Sequence, residues 1–417
     1  MIRVSSIFSQ MLQLFSRHEF ERAVVEHRAE RHARGFTCWG QFVAMLFCHL
    51  GRAQSLREIC GGLAASEGKL RHLGLPDAPK RSTLAYANQH RPWQLYQSVF
   101  YQLLDRCRER AGPHGFRFKN KLLSLDATLI ELCASVFDWA QYRRTKGAVK
   151  LHLLLDHQGL LPCYAVVTEG RVHESRVART LRFEPGTIVV FDRGFTDYDW
   201  FASLDADGVY FVTRMKDNAD YGVVERRPVP ERGPVQRDEI IFFYKLARQG
   251  GRDLFLRRIE VWDETQQRTL VFLTNQHRLA ASTIAAIYRQ RWQIELFFKA
   301  LKQNLRIKTF ASSNALQIQL WTALIALLLL KYLQLRARFN WSLSNLAALL
   351  RQQVCVYRDL FAWIDQPFQP PPLLAAEQLA LFSFSNLDSR MPTSNLRPPP
   401  DALKMPLFPA PPHLNSG

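Results

Sequence analysis

The sequence lacks the features that define several large classes of protein. Its seven cysteines are scattered and include no Cys-x-x-Cys pair, so we expect neither a zinc site nor a disulfide framework. An odd, dispersed set of thiols is typical of a protein in a reducing cytoplasm. The N-terminus contains no basic segment followed by a small-residue cleavage site, which argues against a signal peptide.

Long apolar runs and acidic residues are also scarce. The most apolar run, residues 323–330, is far shorter than the ~20 residues that cross a bilayer, so it predicts a core helix. Lys and Arg total 55 against 37 Asp and Glu, which gives a net charge of +18. This excess favours a polyanionic partner. Nucleic acid ranks ahead of an anionic membrane surface, because no strongly segregated basic amphipathic helix is present.

One aspartate interrupts a strongly apolar segment. Residues 122–132, Leu-Leu-Ser-Leu-Asp-Ala-Thr-Leu-Ile-Glu-Leu, predict a buried strand with Asp126 inside it. A charge in such a strand is costly unless it is paired or binds a metal ion. The plainer interpretation is an aspartate at the strand edge with an ordinary hydrogen-bond partner.

A second aspartate ends a later apolar strand. Asp192 follows the strand candidate 187–191 and precedes Arg193 and Gly194, which marks the turn. A helix N-cap is the alternative role for Asp192. Between the two aspartates the sequence predicts the two strands of a hairpin and a short helix, at 149–155, 160–168 and 174–181.

The third acidic position lies in a predicted helix. Tyr288, Arg291, Glu295 and Lys302 stand at offsets of 0, 3, 7 and 14. At about 100° per residue they fall within roughly 60° of one another on a helix. A carboxylate that shares its face with two cations suits a site for a metal ion and nucleic-acid phosphates. A surface helix with ordinary ion pairs is the alternative.

The order of these elements allows the three carboxylates to meet at one edge of a mixed sheet. Converging carboxylates match the preference of Mg²⁺ or Mn²⁺ for oxygen ligands. Two such ions clamp the attacking and leaving oxygens of an in-line phosphoryl transfer. Each aspartate has an ordinary alternative role, but the combination with the glutamate helix favours the metal site.

Taken together, these motifs resemble those of the DDE transposases of bacterial insertion sequences, in the group named for insertion sequence four. The signature of that group, Tyr-x2-Arg-x3-Glu-x6-Lys, is filled here by Tyr288, Arg291, Glu295 and Lys302. Leu-Asp-Ala-Thr around Asp126 and Phe-Asp-Arg-Gly-Phe around Asp192 are similar to the two aspartate motifs of the family. The resemblance covers residues 30–340 or thereabouts.

The resemblance implies an α/β protein with a ribonuclease H-like catalytic core. It implies a catalytic and metal-binding triad of Asp126, Asp192 and Glu295, with two Mg²⁺ or Mn²⁺ ions as cofactors. Six further residues are candidates for DNA binding: Tyr288, Arg291, Trp292, Lys302, Arg193 and Lys299. Trp292 is a candidate for stacking on a displaced base, and packing of its ring against the sheet is the alternative.

The implied partner is double-stranded DNA, both the terminal inverted repeats of the element and its target. The implied assembly is a homodimer on DNA, in the bacterial cytoplasm and associated with the nucleoid, with no membrane. Residues 314–351 carry more apolar side chains than one helix face needs. Any remainder left exposed by the core would be a candidate dimer surface.

The chain divides into a helical segment, a split core and a tail. The predicted segments are a helical DNA-binding domain (1–115), the first part of the core (116–215), an inserted antiparallel β subdomain (216–276), the second part of the core (277–352) and a Pro-rich disordered tail (365–417). Within the first segment, helices are expected after Thr37, after Ser55 and over 93–110.

The N-terminal segment offers candidates for phosphate contacts. Short helices separated by basic residues are compatible with a DNA reader of the helix-turn-helix type. The candidates are Arg71, His72, Lys80, Arg81 and Arg91. For any one of them, ordinary solvated surface is the plainer interpretation.

Two other functions fit the same residues. Another ribonuclease H-like nuclease would share the triad but would need neither the β insertion nor end-specific binding. A domesticated DNA-binding protein without catalysis would not need three intact carboxylates. The sequence shows no Ser/His/Asp or Cys/His pattern, which agrees with hydrolysis that uses no protein nucleophile. A DNA transposase is therefore the leading hypothesis.

Overall fold

The computed structural model describes residues 5–369, apart from 32, 34, 67, 133–140, 144–145, 245–253 and 305–311. The Pro-rich tail predicted for 365–417 lies almost wholly outside these residues, and its described start, Asp365, ends a helix. The six cysteines that are described are free.

Helices fill the described chain before the first strand. They are α1 (Ile7–Leu12), α2 (Arg17–Glu26), α3 (Cys38–Gly51), α4 (Leu56–Ala64), α5 (Arg81–His90) and α6 (Gln94–Arg108). The hydroxyl of Thr37 accepts a hydrogen bond from the backbone N–H of Gly40, and that of Ser55 accepts one from Glu58. These are N-caps, which satisfy donors that the first helical turn leaves free. The predicted starts of these two helices are confirmed.

A mixed sheet of ten strands lies at the centre of the described chain. The strands are β1 (Leu122–Leu132), β2 (Gln141–Arg143), β3 (Lys146–Asp156), β4 (Leu161–Glu169), β5 (Ile188–Phe191), β6 (Tyr210–Arg214), β7 (Tyr221–Arg226), β8 (Val235–Phe243), β9 (Leu256–Asp263) and β10 (Arg268–Thr274). β3 pairs antiparallel with both β1 and β4, whereas β5 runs parallel to β1 and to β6. This arrangement fits a ribonuclease H-like transposase core.

Strands of the predicted insertion continue this sheet. β7, β8, β9 and β10 pair antiparallel in sequence, and β10 also pairs antiparallel with β6 of the core. The antiparallel strands expected in 216–276 are therefore present, and they lie in the same sheet as the core strands. Their treatment as a separate subdomain stays a prediction.

Seven further helices complete the described chain. They are α7 (Glu174–Ala178), α8 (Tyr198–Ala206), α9 (Ala281–Gln290), α10 (Trp292–Asn304), α11 (Ser313–Arg336), α12 (Leu343–Gln353) and α13 (Leu360–Asp365). α11 is apolar on all sides, as expected for a helix at the centre of a core. By length and composition it could cross a membrane, but 89% of its apolar window is buried inside the protein.

One hydrophobic core joins the N-terminal helices to the sheet. Buried residues of α1 to α6 pack in the same cluster as those of α10 to α13 and one face of β1, β3 and β4. The boundary expected at residue 115 is therefore not a break in the hydrophobic core, and the domain division stays a prediction. Seven apolar residues of α11 were considered for a dimer surface. Six are buried, namely Leu320, Trp321, Ile325, Leu328, Leu329 and Leu333, and Tyr332 is half-buried. None of the seven is therefore an exposed remainder.

Candidate active site

Two aspartates lie side by side on neighbouring strands. In the parallel pair β1 and β5, Leu125 is opposite Phe191, so Asp126 and Asp192 occupy the next positions of adjacent strands, which lie about 4.8 Å apart. Leu125 and Phe191 both point into one hydrophobic cluster. Because side chains alternate along extended backbone, both aspartates face the opposite side of the sheet.

Backbone N–H groups hold both aspartates. Oδ1 of Asp126 accepts a hydrogen bond from the N–H of Ala127 at 2.8 Å. Oδ1 of Asp192 accepts one from Gly194, at the start of a short 3₁₀ turn over Arg193–Phe195. The N-cap role considered for Asp192 is therefore real, and it leaves Oδ2 as the oxygen that this bond does not use.

Glu295 is presented by a pair of helices. The sequence predicts one uninterrupted helix over the signature residues, which is wrong at Arg291: α9 ends at Gln290 and α10 begins at Trp292. Arg291 keeps right-handed helical angles, but the N–H of Arg291 bonds to the carbonyl of Tyr288, and the N–H of Ile294 to that of Arg291. These i→i+3 bonds tighten the chain locally and replace the α-helical pattern.

Arg291 joins two of the three carboxylates. Its Nη1 lies 3.1 Å from Oδ2 of Asp126, and its Nη2 lies 2.5 Å from Oε1 of Glu295. The Arg291 side chain is only 15% exposed, and its guanidinium lies 5.6 Å from the ring centre of Tyr288. The structure thus brings Asp126 of β1 together with three residues of the signature, Tyr288, Arg291 and Glu295.

The third carboxylate, Asp192, acts on Asp126 through its charge. Burial raises the pKa of Asp126 to about 7, while Arg291 and the N–H of Ala127 oppose the rise, and the charges of Asp192 and Glu295 add to it. Burial likewise raises the pKa of Tyr288, where Arg291 opposes the rise and Asp192 adds to it. The charges of Asp192 and Glu295 therefore both act on the Asp126 carboxyl.

A cleft of about 570 Å³ opens beside Asp126 and Glu295. Lys299 and Lys302 line it, and both side chains are exposed. Two of the predicted DNA-binding residues therefore lie at the mouth of the site. Since their ammonium groups carry positive charge next to the carboxylates, the cleft suits a phosphate backbone.

The candidate DNA-binding residues Trp292 and Arg193, and those of the N-terminal segment, are not among the residues that line this cleft. Trp292 is 57% exposed, so more than half of this residue is open to solvent. Arg193 forms an exposed ion pair with Asp217. Arg91 donates to the carbonyls of Thr37 and Phe36 and therefore holds the N-terminal helices together. The other N-terminal candidates, Arg71, His72, Lys80 and Arg81, are exposed.

Sequence reasoning missed a fourth carboxylate near Asp192. A Cβ added to Gly194 would lie 2.8 Å from Oδ1 of Asp192 and 2.8 Å from Oε2 of Glu174, so a larger residue would collide with both. Lys150 holds Glu174 in place, with Nζ 3.3 Å from Oε1. The only signal in the sequence was an acidic residue in the first turn of the predicted helix at 174–181.

The donor set fits a divalent metal ion in its chemistry. Three carboxylates from two strands and a helix supply the hard oxygen ligands that Mg²⁺ and Mn²⁺ prefer. The cation that lies between Asp126 and Glu295 here is the Arg291 guanidinium. Within the described ranges, no three acidic, histidine or cysteine side chains stand close enough to share one ion as they are placed. Metal binding therefore requires these side chains to shift.

The raised pKa of Asp126 predicts a pH effect on stability. We expect the free energy of unfolding of the metal-free protein, relative to that of Asp126→Asn, to fall as pH rises from about 4 to about 7. The unfolded carboxyl releases its proton near a pKa of about 3.9, whereas the folded one keeps it until about 7. Rising pH therefore favours the unfolded state across this window, and the difference levels off above it.

Urea unfolding of both proteins in a chelator, at several pH values, measures this difference. The asparagine variant serves as the control, because it cannot titrate at this position and shares every other titrating group. A difference in stability that stays constant from pH 4 to pH 8 would contradict the raised pKa.

Comparison with protein families gives two matches. A model described as a transposase DDE domain matches residues 117–329, a range that begins just before β1 and contains Asp126, Asp192 and Glu295. A model described as a domain of unknown function, DUF4372, matches residues 3–76.

Individual relatives agree with the first match. A protein of Sinorhizobium fredii assigned as transposase y4zB is 31% identical over 326 residues, which cover 75% of this chain and 88% of the relative. A protein of Geobacillus stearothermophilus assigned as a transposase for insertion sequence element IS5377 is 28% identical, over 65% of this chain and 72% of the relative. Among solved structures, a piggyBac transposase synaptic complex with hairpin DNA aligns with 93% of this chain and 85% of its own, at 10% identity. The TM-score of this alignment is 0.43.

Proposed function

The chain belongs to the DDE transposase family, and we propose that it binds the terminal inverted repeats of an insertion sequence, hydrolyses the DNA at those ends and joins the freed 3′-hydroxyl to target DNA. The observation that carries the proposal is the linked set of carboxylates, in which Arg291 contacts Asp126 and Glu295 while Asp192 stands beside Asp126 on the next strand. Assignment to the Tyr-Arg-Glu-Lys group is part of this proposal.

The three carboxylates are the proposed catalytic residues. Asp126 is fixed by the strand pairing of β1, Asp192 by its hydrogen bond from Gly194, and Glu295 by the first turn of α10. Two Mg²⁺ or Mn²⁺ ions bound by these side chains would supply an activated water and neutralise charge that develops on the scissile phosphate. Asp126 lies on β1 and Asp192 directly follows its paired strand β5, so the pairing holds the two ligands in a defined relation, as in-line displacement requires.

The cations around the cleft are the proposed phosphate contacts. Lys299 and Lys302 extend from the same helix as Glu295, and neither forms an ion pair within the described part of the chain. Their charge is therefore available to the DNA backbone. Arg193 forms an exposed ion pair with Asp217, which is weak and can be exchanged for a phosphate.

Two aromatic residues near Arg291 have more specific proposed roles. Tyr288 lies against Arg291, and its hydroxyl is a donor for a phosphate near the cut end. Trp292 presents an exposed ring one residue further along, and we assign it to stacking on a base displaced at the cut end.

Coordinated cutting of two ends requires two active sites, so we propose a homodimer that assembles on paired ends. The same proposal places the protein in the bacterial cytoplasm, where it meets chromosomal DNA. The net charge of +18 supports assembly on DNA, because two strongly basic protomers repel each other until a polyanion lies between them.

The experiment that tests this function is a cleavage assay with Mg²⁺. The substrate is a labelled duplex that ends in the inverted repeat flanking the gene, and the control is the same duplex with the repeat scrambled. We expect a cut at the repeat boundary that leaves a 3′-hydroxyl, followed by joining of that strand to a supercoiled plasmid. Cutting that ignores the repeat would point to a general nuclease, and cutting with no joining would also count against a transposase.

A further inference from the structure

The guanidinium of Arg291 uses the same carboxylates that the proposed function assigns to metal binding. Nη1 contacts Oδ2 of Asp126 and Nη2 contacts Oε1 of Glu295, at 3.1 and 2.5 Å. The third nitrogen, Nε, is buried and has no hydrogen-bond partner. In this arrangement both terminal nitrogens of Arg291 donate to carboxylates of the site.

A metal ion and this guanidinium cannot share those oxygens. A divalent ion held by Asp126 would place a second positive charge beside the Arg291 guanidinium, and like charges in a partly buried site repel each other. The two cations therefore compete for the same carboxylates. Whichever cation binds the two carboxylates must displace the other.

We infer that Arg291 is a competitor of the metal ions within the active site: it pairs with Asp126 and Glu295 in the metal-free protein and moves to a DNA phosphate when metal and DNA bind together. The inference rests on the proposed function for the identity of the metal-binding carboxylates. It assigns Arg291 two successive partners, first the acidic side chains and then the substrate.

The surroundings of Arg291 supply a destination for its side chain. The residue stands at the junction of α9 and α10, beside a cleft whose mouth carries Lys299 and Lys302. DNA that follows those lysines brings phosphates within reach of a neighbouring guanidinium. A planar guanidinium also binds phosphate through two N–H groups at once, which compensates for the loss of both carboxylates.

Competition of this kind makes metal and DNA binding mutually reinforcing. DNA that takes Arg291 away leaves the carboxylates free, and so raises their affinity for metal. By linkage, metal must raise the affinity for DNA by the same factor. The device would keep the metal site weak until the substrate is present.

The test measures Mn²⁺ binding to the full-length protein without DNA, after removal of metal, by electron paramagnetic resonance of free Mn²⁺. We expect Arg291→Gln to bind Mn²⁺ about tenfold more tightly than the wild type, within the usual range of such couplings. Arg289→Gln is the matched control, because it removes the same charge from an exposed position two residues away, and it should leave Mn²⁺ binding unchanged. Equal or weaker Mn²⁺ binding by Arg291→Gln would overturn the inference.

A second measurement adds the inverted-repeat duplex. It should tighten Mn²⁺ binding to the wild type and not to Arg291→Gln, whose carboxylates are free from the start. If the glutamine variant does not fold, Arg291→Lys serves instead: a point charge cannot bridge both carboxylates, so an intermediate Mn²⁺ affinity is expected, and a wild-type value would count against the inference. Because the first readout needs no DNA, its failure is distinguishable from failure of the transposase reaction.

Discussion

Replacement of Asp126 by Asn, of Asp192 by Asn or of Glu295 by Gln is expected to abolish cleavage of inverted-repeat DNA in Mg²⁺. Each change keeps the size of the side chain and removes the negative charge that a metal ligand needs. Loss of even an outer partner of a metal ligand costs about 10- to 100-fold. Loss of a ligand itself should therefore lower the cleavage rate by more than about a hundredfold.

Binding of the DNA end should survive in the same three variants. Phosphate contacts supply most of the affinity of such proteins, and each variant loses a negative charge that repels DNA. Asp199→Asn is the matched control, since it removes an exposed carboxylate from α8, away from the described cluster, and should leave cleavage intact. Gel-shift and cleavage assays on one labelled end measure both properties, and substantial cutting by any of the three variants would remove that residue from the triad.

The elements that carry the triad could be predicted from the sequence because their patterns are local. An apolar run around Asp126 and a β-branched run before Asp192 both favour buried strands. The bounds of β1 match the predicted strand at 122–132. Parallel pairing of β1 with β5 then places the two aspartates side by side, and the predicted order of elements allowed this.

The features of the site and sheet that the sequence did not predict depend on contacts between segments that are distant in sequence. Helical spacing predicts that Tyr288 and Arg291 share a face, but the junction at Arg291 and its contact with Asp126 require the β1 strand to be in place. Nothing local in Glu174 signals that it lies next to Gly194. The strands at 216–276 were recognisable as strands, whereas their continuation of the core sheet depends on the pairing of β10 with β6.

A buried ion pair joins strands β8 and β9, and one of its partners also contacts the segment that precedes α9, the helix that carries Tyr288. Nε and Nη2 of Arg257 on β9 contact the two carboxylate oxygens of Asp238 on β8, at 2.8 and 2.6 Å. Its Nη1 donates to the carbonyls of Gln276 and Leu279, just before α9 begins. Both partners are nearly inaccessible, at 2% and 6% exposure. Asp238 is therefore left without compensation if the arginine is removed.

We expect Arg257→Met to lower the free energy of unfolding by about 3–5 kcal/mol, the usual cost of breaking a buried pair from one side. The control is Arg237→Met, which removes an arginine that is 63% exposed and paired with Glu260. Exposed pairs contribute about 0–1 kcal/mol, so this control should change little. The double variant Arg257→Met/Asp238→Leu also removes the carboxylate that the single variant leaves unpaired. It should therefore recover much of the lost free energy of unfolding. Urea unfolding of the four proteins decides the matter: a loss below about 1 kcal/mol for Arg257→Met would show that water or another cation reaches Asp238.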